Sequence, residues 1–225
     1  MILQTIKQIS CLLCLCCFLQ QSAFSQDDKD KPAYTLFDNT GKQISYGELI
    51  KRLSGYDVIF LGELHNCPIT HWLEFEITRS IYNIHKDQLM LGAEMFESDN
   101  QLIFDEYMQQ NISYDRFEAE ARLWDNYRTD YYPVVFFAKE HHIPFIATNI
   151  PRRYANIVKN KGFEALDSLS EEAKRYIAPL PIDFEYDEAQ SAAAFSMMNM
   201  MGGRRAGDNR KLAQAQAIKD ATMGW

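Results

Sequence analysis

The sequence predicts an α/β protein, with a parallel sheet flanked by helices and followed by a helical C-terminal part. Three apolar runs of strand character occupy residues 58–61, 88–96 and 144–148, and a helix pattern follows each of them. Continuous apolar runs are typical of strands covered on both faces, as in parallel sheets. Because ligands bind such sheets outside the carboxyl ends of the strands, functional residues are expected where these runs end.

Residues 1–25 are expected to be a secretory leader. Lys7 supplies a positive charge, residues 9–19 an apolar core too short to span a bilayer, and residues 23–25 a cleavage site with small residues at both ends. Four of the five cysteines lie in this leader, and none follows a convincing set of small residues. We therefore expect an exported protein of the periplasm or cell envelope, soluble in preference to lipid-anchored, with Cys67 as its one thiol.

The rest of the chain is long enough for one domain with a substantial core. Residues 26–32 are polar and are expected to form a flexible tether, which leaves residues 33–225 as the domain. The formal charge of −8 becomes −9 without the leader, which argues against nucleic acid or an anionic membrane surface as a partner. The last helix pattern, over residues 208–225, ends without a cap or a closing strand, so a truncated chain is expected.

Short elements precede and follow the first apolar run. Residues 33–40 with Gly41 predict a strand and a turn, and residues 44–53 predict a small helix. After the run, Pro68 is placed as the first residue of a longer helix, with Asn66 available as its cap.

An acid and two imidazoles gather after the first run. Glu63 and His65 follow Gly62 directly, and His71 lies in the first turn of the next helix; Glu94 ends the second run. These four are candidate metal ligands, and Glu63, His65 and Glu94 are candidates for acid–base chemistry around bound water. Capping of the loop and helix explains the same spacing about equally well.

The second run contains Gly92, which predicts close approach by another backbone or a ligand. Ser98 begins a capping-box pattern for a helix that reaches about residue 110, and Ser113 begins another through residue 124.

Residues 124–133 combine three tyrosines with an arginine: Tyr127, Arg128, Tyr131 and Tyr132. Aromatic and cationic side chains concentrated in a loop suit a planar, anionic ligand. The alternative is ordinary packing of the loop against the sheet edge. A helix is expected from Pro133 onward.

Asn149 ends the third run, and a helix begins after it with Arg152 and Arg153 in its first turn. Cations in a first turn oppose the helix dipole, so we expect this pair to hold an anion. Later helices are expected from Ser170 through residue 177 and over residues 187–201, and the last helix should turn Leu212, Ala215 and Ile218 inward.

Four stretches in order, VIFLGELHN, GAEMF, ATNIPRRYA and AQAIKDATM, resemble the ChaN-like haem-binding proteins of the Tiki and erythromycin-esterase-related superfamily. The resemblance covers about residues 34–225. It implies an α/β fold, a homodimer that binds two haems face to face, and a role in iron acquisition with haem-uptake proteins of the envelope.

Haem ligands in the resembling proteins include tyrosine and histidine from the later half, where this chain has no histidine after His142. Tyr186 is the nearest later tyrosine to the methionine-rich helix pattern, and tyrosinate is a known haem ligand. The haem hypothesis therefore places Tyr186, or the earlier tyrosines, on the iron. It assigns the propionates to Arg152 and Arg153.

The Gly62-x-x-His65 pattern also resembles metal-dependent Tiki peptidases and the esterases. This leaves a metal-dependent hydrolase that uses Glu63, His65 and Glu94 as the alternative function, with a divalent ion as its cofactor. Haem binding is preferred because the motif set as a whole indicates it.

Overall fold

A computed structural model of the protein describes residues 32–185 and 209–223. It separates the chain into two compact units, Met1–Leu49 and Ile50–Trp225. The predicted leader, nearly all of the tether, Tyr186 and the predicted helix over residues 187–201 lie outside the described residues.

The first unit contains a small antiparallel hairpin. Strand β1 (Leu36–Phe37) pairs with β2 (Gln43–Ile44) around a turn in which Gly41 has a φ of +80°. The Asp38 carboxylate closes this turn by accepting hydrogen bonds from the backbone N–H groups of Thr40 at 3.0 Å and Lys42 at 3.1 Å. Helix α1 (Tyr46–Leu53) begins in this unit and ends in the second, close to its predicted bounds.

The second unit is built on two parallel strands, β3 (Leu91–Glu97) and β4 (Phe145–Asn149). They are the second and third apolar runs of the sequence, so these two strand predictions are confirmed. Their register breaks at a bulge before Glu97, which lies opposite Asn149. The predicted close approach at Gly92 is confirmed, because a Cβ at this position would lie 2.9 Å from Thr148 Cγ2 of the neighbouring strand.

The first apolar run does not form the strand that the sequence predicts. Residues 58–64 have no strand pairing, and the side chains of Val58 and Phe60 are 67% and 79% exposed. An apolar run becomes a buried strand only where a neighbouring backbone and a covering layer are both supplied. Within the described residues this run has neither, so the strand prediction was wrong although the residues that follow it are ordered into a site.

Helices surround the parallel pair. Their bounds are α2 (Pro68–His85), α3 (Gln101–Met108), α4 (Tyr114–Glu120), α5 (Tyr132–Glu140), α6 (Arg152–Lys161), α7 (Glu171–Lys174) and α8 (Asn209–Met223). A π-helical segment, Tyr127–Tyr131, precedes α5, and short 3-10 turns occupy Lys86–Gln88, Ser98–Asn100 and Phe163–Ser168. In the parts of the chain that the structure describes, no helix is both long and apolar enough to cross a membrane.

The predicted helix caps are only partly correct. Ser113 and Ser170 cap α4 and α7 by accepting from the backbone N–H groups of the residues three positions later. Ser98 does not cap; its hydroxyl donates to the Tyr176 carbonyl at 3.2 Å, and α3 begins later, at Gln101. Helix α2 begins at Pro68 as predicted, but Cys67 precedes it without a side-chain cap, so the Asn66 prediction was wrong.

Two apolar clusters hold the second unit together. The first joins β3 and β4 to α3, α4, α5 and the π-helix through an aromatic group that includes Phe96, Phe104, Phe117, Tyr127 and Phe145. The second joins α6 and the turns after it to Ile218 of α8. Leu212 and Ile218 are buried and Ala215 is partly buried, which confirms the predicted inward face of α8. This packing brings Lys219 of α8 to Glu94 of β3.

Candidate functional site

Glu63 lies at the centre of an acid–imidazole network. Its Oε1 is 2.5 Å from His65 Nδ1 and accepts a hydrogen bond from the Tyr131 hydroxyl at 2.8 Å. Its Oε2 is 3.4 Å from His71 Nδ1. The two oxygens of one carboxylate therefore face different partners. We call the group formed by Glu63, His65, His71, Glu74 and Asp130 the acidic cluster.

His71 is the buried member of the acidic cluster, with a side chain only 3% exposed. Its Nε2 is 3.1 Å from the main-chain oxygen of His65, and Asp130 Oδ2 is 3.5 Å from the same nitrogen. Because a carbonyl oxygen can only accept, Nε2 donates and carries a proton. Nδ1 faces two carboxylates, with Glu74 Oε2 at 3.3 Å.

Three local structures position these groups. His71 and Glu74 are three residues apart in α2 and therefore share one side of the helix. The π-helix presents Asp130 and Tyr131, in keeping with the frequent occurrence of such segments at functional sites. Asn126 Nδ2 contacts both the His65 carbonyl at 3.1 Å and Asp130 Oδ2 at 2.7 Å, and so connects the loop to the π-helix.

The acidic cluster contains more negative charge than its imidazoles balance, and the pKa values reflect this. Burial, followed by the Glu63 carboxylate, raises the pKa of Glu74 to about 7. Burial lowers the pKa of His71, but its backbone hydrogen bond and the surrounding carboxylates outweigh burial and raise it. Burial and the Glu63 carboxylate also raise the pKa of Tyr131, so its hydroxyl stays a neutral donor at physiological pH.

Glu94 is placed apart from the predicted set. Its carboxylate pairs with Lys219 at 3.0 Å, and its main-chain oxygen accepts from Asn149 Nδ2 at 2.8 Å. The structure thus brings Glu63, His65 and His71 together and gives Glu94 a cation of α8 as its partner. Sequence reasoning missed Glu74, although its position three residues after His71 on one helix was a usable signal.

A second site is a cleft of about 580 Å³ between the ends of β3 and β4, helices α6 and α8, and residues 123–125. Its cations, Arg152, Lys159 and Lys219, outnumber its two acids, Glu97 and Asp125, and its apolar wall includes Trp124, Ile150 and Leu212. We call it the cationic cleft. Asn149 also lines it, and the side-chain Oδ1 of this residue is buried without a hydrogen-bond partner. Buried polar atoms are normally satisfied, so this oxygen is an exception among the described residues.

The predicted anion-binding arginines both have acidic partners at the end of β3. Arg152 pairs with the buried carboxylate of Glu97 through its guanidinium, and its backbone N–H donates to the same carboxylate at 3.1 Å. Arg153 pairs with Asp99. Arg152 and Arg153 thus have acidic partners within the protein, which the sequence did not reveal. Anion binding by these two arginines stays a prediction.

The aromatic segment is packed into the protein. Tyr127 is buried with no hydrogen-bond partner for its hydroxyl, and burial raises its pKa strongly. Tyr132 packs edge-on against Tyr114, with ring centroids 5.2 Å apart. Arg128 makes two 2.5 Å hydrogen bonds to the Glu118 carboxylate. Tyr127 and Tyr132 thus pack within the protein, whereas the Arg128 side chain is 71% exposed and pairs with Glu118. Contact of these residues with haem stays a prediction, as does that of Tyr186.

The structure shows an α/β protein with polar groups at the carboxyl edge of a parallel pair of strands. The family described as haem-binding uptake, Tiki superfamily, ChaN matches residues 49–225, and the chain belongs to this family. A solved structure described as cofacial heme binding to ChaN of Campylobacter jejuni is similar, with a TM-score of 0.61 and 20% identity over 84% of this chain and 72% of that chain. At this identity the likeness shows the fold alone. A search of curated proteins found no match.

Proposed function

We propose that this protein binds haem in the cell envelope and serves haem or iron uptake. The observation that carries the proposal is the family match, which spans residues 49–225 and so includes both candidate sites. Export rests on the leader pattern of residues 1–25, and the homodimer and the envelope partners rest on the resemblance in sequence.

The cationic cleft suits the periphery of a haem. Haem carries two propionates on a flat apolar ring, and the cleft sets Arg152, Lys159 and Lys219 beside an apolar wall. Its volume lies within the range of roughly 300 to 1,000 Å³ typical of small-molecule sites. Arg152 and Lys219 already pair with acids, whereas Lys159 has no ion-pair partner among the described residues. Lys159 is therefore the cation best placed to take up a propionate by a charge-assisted hydrogen bond.

The ligand of the haem iron must come from outside the described lining of the cleft. Among the described residues that line the cleft there is no histidine, tyrosine, cysteine or methionine, the residue types that ligate haem iron. Tyr127 and Tyr131 are weak candidates, because the raised pKa values of both oppose the tyrosinate form. The proposal therefore assigns the iron to Tyr186, outside the described residues, with Tyr132 as the alternative, and it assigns the haem periphery to the cleft.

Haem titration of the full chain tests the proposal through the Soret band. We expect saturable binding, and we expect Tyr186→Phe to shift the Soret band and weaken binding. Tyr127→Phe is the matched control, because it removes only a buried hydroxyl that has no partner. An unsaturable titration would overturn haem binding. Loss of binding in Tyr127→Phe but not in Tyr186→Phe would move the iron to the aromatic segment.

A metal-dependent hydrolase is the second candidate, and the contacts of Glu63 with His65 and His71 favour it. In that function His65, whose side chain is 48% exposed, acts as the acid or base on bound water. Peptide or ester hydrolysis by metal-loaded protein, lost in His65→Ala while haem titration is unchanged, would support it. Metal-loaded protein with no hydrolytic activity would contradict it.

A further inference from the structure

We infer that Glu63, His71 and Glu74 form a binding site for one divalent first-row transition-metal ion, separate from any haem site. Each residue offers one ligand atom, and the three atoms lie within 4.8 Å of one another. Two of the ligands come from the same helix, α2, and the third comes from the loop that leads into it. The inference concerns only this acidic cluster and does not depend on haem binding.

The distances suit a small ion. His71 Nδ1 lies 3.4 Å from Glu63 Oε2 and 3.3 Å from Glu74 Oε2. Donor atoms about 2.0 to 2.2 Å from a tetrahedral ion are roughly 3.3 to 3.6 Å apart. Two of the three donor separations therefore match already, and the third, between Glu63 and Glu74, is at most 4.8 Å. One imidazole with two carboxylates favours Mn²⁺, Fe²⁺ or Zn²⁺ over Ca²⁺, which takes six to eight oxygen ligands.

The direction of the hydrogen bonds leaves a place for a cation. His71 Nε2 carries the proton because it donates to the His65 carbonyl. In a neutral ring, Nδ1 then presents a lone pair to the oxygens of Glu63 and Glu74. Three acceptors facing one another repel unless a cation lies between them, and that cation is either a metal ion or an added proton.

Hydrogen bonds from neighbouring groups hold Glu63 and His71 in place, as is common around metal ligands. Glu63 Oε1 is held by His65 Nδ1 and by the Tyr131 hydroxyl, which leaves Oε2 for the ion. On the far side of the His71 ring, Nε2 meets the His65 carbonyl and the Asp130 carboxylate. Ligating histidines usually direct their second nitrogen to a carbonyl or carboxylate, and ligating carboxylates are themselves hydrogen-bonded.

Three protein ligands leave at least one coordination position for water, as in catalytic zinc sites. The exposed ring of His65 contacts Glu63 Oε1 and packs at a tilt against the Trp124 ring, with centroids 5.4 Å apart. An ion here would therefore be reachable from solvent on the side of His65.

The test uses the full chain after treatment with a chelator and dialysis. Co²⁺ is followed by its visible ligand-field absorption, and Zn²⁺ and Mn²⁺ by calorimetry. We expect one ion per chain. The affinity should fall more than about a hundredfold in Glu74→Gln and in His71→Gln. It should fall about tenfold to a hundredfold in Tyr131→Phe, which removes a hydroxyl that orients Glu63. Glu76→Gln is the matched control, because Glu76 lies on the same helix but pairs with Arg79.

Wild-type affinity in Glu74→Gln and Tyr131→Phe, or the absence of a bound ion in the wild type, would overturn the inference and show that a proton fills the cluster. Far-UV circular dichroism checks each fold; if His71→Gln does not fold, the isosteric Glu74→Gln decides. Haem titration of the same variants separates the two proposals, because the Soret titration of Glu74→Gln should match the wild type whether or not metal binding is lost.

Discussion

The acidic cluster and the cationic cleft are opposite in charge and in construction. The acidic cluster gathers three carboxylates around a buried imidazole, and internal donors orient its central acid. The cationic cleft is wider, has an apolar wall, and contains a buried amide oxygen without a partner. We propose a small cation for the first region and a larger anionic ligand for the second. Experiments can address the two proposals separately.

The largest expected effect is that of metal on stability. At a free ion concentration of about 100 Kd, binding should stabilise the native chain by about 2.7 kcal/mol. For a domain of this size that raises the melting temperature by roughly 5 to 11 °C. Differential scanning calorimetry with and without Zn²⁺ or Mn²⁺ measures the shift, and Glu74→Gln should abolish it. An equal shift in Glu74→Gln would place the stabilising ion elsewhere and contradict the assignment of the acidic cluster as the cation site.

The same substitution should have opposite effects in the two regions. Glu97→Gln removes a buried charge that pairs with Arg122 and Arg152, so we expect a loss of about 1 to 3 kcal/mol in the free energy of unfolding. Glu74→Gln in metal-free protein removes a charge that repels Glu63, so its effect should be near zero or stabilising. Urea unfolding of both variants after chelation measures the difference. Two equal losses would show that Glu74 is a paired structural acid like Glu97.

The cleft can be tested through its unpaired cation. Lys159→Gln should weaken haem binding about tenfold, or roughly 1.4 kcal/mol, and leave metal binding unchanged. Lys174→Gln is the control, since Lys174 pairs with Glu171 on the surface. The weakening should shrink at high salt because screening reduces the contribution of a charge that is only half-buried. Wild-type haem affinity in Lys159→Gln at low salt would move the propionates away from the cleft.

The sequence pattern correctly predicted two strands and the buried face of one helix. The second and third apolar runs became β3 and β4, and the inward face of α8 followed its apolar spacing. The run over residues 58–61 is also apolar but has no neighbouring strand in the described structure. Strand formation requires a partner, and one apolar segment read alone does not reveal whether a partner exists.

The candidate sites were also predictable only where their residues lie close together in the sequence. Glu63, His65 and His71 lie close in sequence, so their proximity could be foreseen. Asp130 joins them through a π-helix 65 residues after His65, and no local pattern marks it. At the end of β3 the sequence indicated Glu94, yet Glu97 is the acid that meets Arg152, because a bulge changes the register between residues 93 and 97.

The smallest expected effect concerns the aromatic core, which should respond to neither ligand. Burial, followed by the neighbouring Tyr132 and Tyr114, raises the pKa of Tyr107 to about 12 from a model-compound value of 10.0. The folded chain then binds more protons than the unfolded chain between these values, so this contribution to stability is complete below pH 10 and is lost as the pH rises toward 12. Tyr107→Phe should change stability little at pH 8 and should reduce the alkaline loss.

Tyrosinate absorbance near 295 nm and urea unfolding at pH 8, 10 and 11 measure both parts of this prediction. The Tyr107 ring stacks on Phe117 with centroids 4.5 Å apart, and phenylalanine preserves that packing, so the comparison isolates the hydroxyl. Haem should leave the alkaline titration of the wild type unchanged if the aromatic segment is core and not an iron site. A tyrosine that ionises near neutral pH when haem is added would instead identify a tyrosinate ligand, and its loss in Tyr127→Phe would show that the core and the haem site share a residue.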